Sequence, residues 1–220
     1  MLANATNQYG IAIGGESSST ADNSIAIGRN SSVTGDNGIA IGTFTTSKGA
    51  NGVAIGTNST TSDQGGVAVG NAAKSTSTNT TAVGMDVTAA GPNSVALGGS
   101  ATASSDGAIA IGSHGTRKTT ATGNRALAIG TVATANGLDN IAIGTSASTS
   151  SQYSTAVGNS ATATAVRAAA FGANSTASVE GGVALGSGSV ANRAGGIANK
   201  GYNPNDNRTN KYAGLNTWAL

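Results

Sequence analysis

Few residues in this chain are suited to catalytic chemistry, and their spacing argues against it. The single histidine, His114, stands in a hydrophilic stretch with no run of carboxylates beside it and no cysteine anywhere in the chain. A Ser/His/Asp set can be assembled on paper around any histidine in a Ser-rich sequence, so it carries no weight here. Without Cys there is no thiolate metal site and no disulfide framework. The nine-residue Gly/Asp period of calcium-binding β-repeats is missing. Strings resembling GxGxxG mean little among 34 glycines unless they join a strand to a helix. The expectation is a protein that is not an enzyme and has no cofactor. What remains is binding chemistry. "SHGTRKTTATGNRAL" gathers His114, Arg117, Lys118 and Arg125, the densest basic cluster outside the C-terminal tail. A protruding loop carrying them would suit acidic groups on a partner, although a tolerated, solvated loop would look the same. Phe44 is an apolar residue in a polar row and a candidate anchor for a partner.

These residues are carried by a repeat. Glycines recur at Gly14, Gly28, Gly42, Gly56, Gly70, Gly84, Gly98, Gly112, Gly130, Gly144, Gly158, Gly172 and Gly186, always fourteen apart except for one interval of eighteen. Such self-similarity predicts a solenoid. Two residues before each of these glycines stands an Ala. One and three residues before it stand Ile, Val, Leu or Phe, with Thr81, Thr155 and Ala169 the exceptions. That alternation predicts a strand with Ala on one face and bulky residues on the other. Beyond each glycine, positions three and five are small, as in Ser59 and Thr61 or Ala161 and Ala163, whereas positions two and four are mostly polar. Turn sequences such as "GDNG" and "GPNS" close the coil. Each coil therefore reads as two short strands and two tight turns, about 4.8 Å from the next.

Which face turns inward follows from size. The second strand offers only a small row to oppose the first, and that row matches the invariant Ala row. Ala against Ser or Ala makes a thin, flattened coil that a larger side chain would push apart. The bulky row, including Ile25 and Ile27, Ile39 and Ile41, Val53 and Ile55, Ile109 and Ile111, and Ile141 and Ile143, must then face outward. A stripe roughly 60 Å long follows from the strand spacing, and a monomer rarely exposes so large an apolar patch. The pattern predicts an oligomer of identical chains and leaves their number open.

Composition bounds the remaining classes. Only 9% of residues are charged and the net charge is +2, too little to imply a nucleic-acid partner. No stretch approaches the roughly 18 apolar residues of a membrane span. "MLANATNQYG" lacks the basic and apolar regions of a signal peptide, and the chain reads as a segment of a longer protein.

The copies "NSIAIGRNSS", "NSVALGGSAT" and "NGVAIGTNST" resemble the [N/D]-S-V-A-I-G-x-x-S repeat of trimeric autotransporter adhesin heads, the YadA-like heads, over about Gly10 to Ala191. The resemblance implies an all-β, left-handed parallel β-roll solenoid of 14-residue coils, assembled as a homotrimer with the bulky row as its core. It also implies the surface of a Gram-negative outer membrane, with a coiled-coil stalk and a C-terminal membrane anchor that this sequence does not contain. Residues 1–191 would form the roll, with the insertion between 112 and 130. Residues 192–220, where Lys200 replaces the next glycine, would be an end-capping segment that stops before the neck, with Trp218 packed over the end of the roll. The function expected is attachment to a host extracellular-matrix protein such as collagen or fibronectin, or to a host-cell receptor. A passive spacer in a surface fibre is the alternative. A Thr ladder at Thr46, Thr60, Thr88, Thr102, Thr134, Thr162 and Thr176 also raises ice binding. Lys74 and Val190 interrupt it, and the row of Glu16, Phe44, Ala72 and Asp86, taken as its neighbour, is irregular.

Overall fold

A computed structural model describes residues 2–112 and 117–192. Three-residue strands such as Ile39–Ile41 alternate along the chain with two-residue strands such as Thr46–Ser47, and no described residue is helical. The long strands form one 13-stranded sheet and the short ones a 14-stranded sheet, every pair parallel and each strand beside its counterpart in the next coil. The molecule is thus a parallel β-solenoid. Register holds residue for residue: Ile39 lies beside Val53, Ala40 beside Ala54 and Ile41 beside Ile55. Within a coil the backbone bonds point alternately up and down the stack. Ile39 N–H donates to the carbonyl of Gly52 in the next coil, and Gly42 N–H to that of Ile27 in the previous one, both at 2.8 Å. The four-residue insertion leaves this register intact, with Ile109 beside Leu127 and Thr102 beside Thr120.

The interior is as thin as the small rows require. The Ala row from Ala26 to Ala184 is fully buried, facing small residues of the short-strand sheet such as Ser47, Ala103 and Ala163. A further inward position, four residues before the motif glycine, carries Ser24, Thr80, Ala108 or Asn140. Larger interior residues occur where a neighbour gives way. Val33 is fully buried, and a Cβ on Gly38 would lie 2.6 Å from its Cγ1, so the glycine supplies the room. Buried hydroxyls bond to nearby carbonyls: Ser59 Oγ donates to Gly56 O at 2.9 Å and Ser154 Oγ to Ser151 O at 2.7 Å. Among the described residues the interior holds no charged side chain. Asn140 is its one costly occupant: its Oδ1 accepts from the backbone N–H of Ser154 at 3.0 Å, while its Nδ2 finds no partner.

Both turns of a coil share one construction. Gly52 N–H donates to Gly49 O at 3.2 Å and Ser59 N–H to Gly56 O at 3.3 Å, closing four-residue turns whose third residues, Asn51 and Asn58, have φ of 59° and 58°. Positive φ at that place is the type II pattern. This corrects one part of the sequence reading. The position two beyond the motif glycine is a turn apex and not a strand residue: Glu16, Phe44, Ala72 and Asp86 all lie at φ between 53° and 61°. The cause is the glycine itself. Gly14 has φ of 123°, and a Cβ there would sit 2.7 Å from the carbonyl carbon of Gly28 in the coil above. The chain therefore leaves the strand at the glycine and re-enters extended structure only four residues later.

Candidate interaction surfaces

Two sheet faces and two turn edges make up the outside of the roll. The long-strand face carries the bulky row. Ile25, Ile27, Ile39, Val53, Ile109, Ile111, Ile141 and Ile143 are half-buried there, while Ile41 and Ile55 are exposed. The Ala between each pair is turned inward. The outcome is a largely apolar stripe on one side of the single chain, with Thr81 and Thr155 its polar members.

The short-strand face is hydroxyl-rich. Thr120 joins the Thr ladder between Thr102 and Thr134, a place hidden in the sequence by the insertion. The ladder's neighbour on the sheet is the row two residues further along each coil, in which Thr34, Ser62, Thr76, Ser104, Thr122, Ser150, Thr164 and Ser178 are exposed. Lys48 in this row and Lys74 in the ladder are the charged interruptions of the face. The row of Glu16, Phe44, Ala72 and Asp86 lies at the turn edge instead.

That first edge, which follows the long strands, carries Phe44. The Phe44 ring is 46% exposed, with the Arg29 guanidinium 5.1 Å above its centroid. Arg and aromatic side by side on an accessible edge form a cation–π pair that stays partly exposed. Arg117 and Lys118 are exposed on this edge as well, and His114 lies outside the described residues.

Arg125 does not join them. It follows the short strand Thr120–Ala121 and occupies the opposite turn, at φ 54°. Its guanidinium holds Asp139 of the next coil by two bonds, Nε to Oδ1 at 2.6 Å and Nη2 to Oδ2 at 2.7 Å. The hydrogen bonds from Arg125 hold the Asp139 carboxyl below the usual carboxylate range, and the same pairing raises Arg125. Tyr153 continues the row with Arg167 over its ring at 5.9 Å, and Arg167 Nη1 reaches Glu180 at 3.2 Å. The basic cluster read from the sequence is therefore divided between two edges, and its Arg125 member is already neutralised. The signal was present: Arg125 and Asp139 each stand five residues before a motif glycine, Gly130 and Gly144, so counting by coil and not by chain distance stacks them.

A family model described as the YadA head domain repeat (2 copies) matches the chain over residues 5–31, 34–59, 62–86, 89–114, 121–147, 141–161, 150–175 and 163–189. No curated protein matches it.

Proposed function

This chain belongs to the YadA head domain family, and from that premise we propose that it is the head of a trimeric surface adhesin, attaching a bacterium to a host extracellular-matrix protein or host-cell receptor. The observation that carries the reading is the division of the roll into one largely apolar face and one hydroxyl-rich face. The apolar face serves the homotrimer. Burial contributes roughly 1.5 to 3 kcal/mol per aliphatic side chain, and a stripe of such residues along every coil makes separate chains unfavourable in water. Ile25 and Ile27, Ile39 and Ile41, Val53 and Ile55, Ile109 and Ile111, and Ile141 and Ile143 are its core.

The hydroxyl-rich faces and accessible edges then point outward in three copies. Weak contacts repeated on one shaft bind by avidity, so no deep pocket is needed. Phe44 with Arg29, and Arg117 with Lys118, are the proposed contact points for a collagen-like, fibronectin-like or receptor partner. The place proposed for the head is the outer-membrane surface.

Light scattering over a range of concentrations tests the assembly, with a mass near three chains expected. Solid-phase binding to immobilised collagen and fibronectin, and to host cells, tests the attachment. Saturable binding that weakens in Phe44→Ser or in the Arg117→Ser/Lys118→Ser double variant supports the reading. A trimer that binds none of these above background is a spacer.

A further inference from the structure

A stripe this uniform poses a difficulty of alignment. Most coils present a pair of branched aliphatic residues of similar size, as at Ile25 and Ile27, Val53 and Ile55, and Ile141 and Ile143. A chain sliding by one coil along its neighbours, about 4.8 Å, would remake nearly every contact and lose only those at the ends. Repetition thus specifies pairing but not register.

One coil breaks the repetition in size. Its long strand, Ala169–Phe171, has the smallest residue of the outer row three before the glycine and the largest one before it. The adjacent coils hold Thr155 with Val157, and Val183 with Leu185, in direct register. Phe171 stays 39% exposed, so its own chain leaves part of the side chain uncovered. The Ala169 side chain points to the same outer face and leaves a gap where other coils carry Ile, Val, Leu or Thr.

We infer that Phe171 of one chain seats against Ala169 of the next chain at the same level, fixing the axial register of the homotrimer; this rests on the trimeric reading above. Three such contacts close around the axis only when all chains are level. A one-coil slip drives the ring against Thr155 and Val157 or against Val183 and Leu185, where there is no gap.

The test is Ala169→Ile, a change toward the residue that Ile25, Ile39 and Ile141 supply in the same row. It adds apolar surface, so a plain stripe would associate as well or better. With Phe171 in place, the gap closes and the concentration at which trimers dissociate rises about tenfold or more, as overpacking predicts. Adding Phe171→Ile to the same chain restores association. Dissociation is followed by light scattering on dilution, and melting of each variant by far-ultraviolet circular dichroism. Equal or tighter association of Ala169→Ile overturns the inference. So does a loss of stability that is independent of protein concentration, which would place the ring over its own chain's Ala169. A wild-type protein that is a single chain at every concentration overturns the trimer itself, a result distinct from either.

Discussion

Replacing Ala142 by Leu tests the inward assignment most directly. Ala142 is fully buried between Ala128 and Ala156 in the long-strand sheet. The space it faces is already occupied by Ala147 and Thr149 of the same coil and by Asn140, all buried. Val33 is tolerated elsewhere because Gly38 yields room beside it; at Ala142 the corresponding position is Asn140, the bulkiest occupant of that row. Leu adds three carbons with no such relief. Overpacking of this kind costs about 1 to 3 kcal/mol, equivalent to a fall in Tm of roughly 2 to 12 °C for a chain of this size. Thr134→Lys is the matched control: it lies on the outer face of the short-strand sheet, in the row where Lys74 already stands exposed. Thermal melts by circular dichroism, under identical conditions, should show a large loss for the first and almost none for the second. Comparable losses, or a neutral Ala142→Leu, would refute the inward assignment.

Ile141→Asp, on the outer face of the same strand, should convert the proposed trimer to single chains in light scattering by placing a carboxylate on the apolar face. Val132→Asn should raise stability by about 1 kcal/mol: Val132 is β-branched at φ 63°, in a row that elsewhere carries Asn58 and Asn174, and left-handed backbone costs such residues about 1–2 kcal/mol; an unchanged denaturant midpoint would contradict this. For the exposed pair of Arg125 and Asp139, the carboxyl is lowered in the folded chain, so the contribution of the pair is present above the ordinary Asp range and fades as pH falls through the lowered value. Nuclear magnetic resonance titration should find the Asp139 carboxyl returning upward in Arg125→Ala; an unmoved titration would contradict the pairing.

The repeat was legible because two demands coincide at each coil. Stacking at close range admits only Gly at positions such as Gly14, and the thin interior admits only Ala two residues earlier, so the period was written in invariant letters. The turn after the glycine was not legible. Phe44, Val132, Ser146 and Glu16 are poor advertisements for left-handed backbone, and ladder bonds to the neighbouring coils hold Phe44 and Ser146 there whatever their own preference. Phe44 N–H, for instance, donates to Arg29 O at 2.9 Å. Surface chemistry was legible only as far as coil position was respected. Arg125 looked close to Arg117 along the chain, yet a short strand intervenes and turns the backbone across the roll to Asp139.

The short offset of every ladder pair, fourteen residues and eighteen across the insertion, also bears on how the protein folds. The partners of Ala40, for example, are Ala26 and Ala54, and no strand waits for a distant segment. Loop closure is therefore short throughout, which favours rapid folding despite an all-β architecture. Each finished coil presents a complete template of donors and acceptors to the next, so structure can advance along the chain as it becomes available from either end. The slow step is the first pair of coils, which must form without a template. A late coil that fails to dock leaves the earlier ones folded.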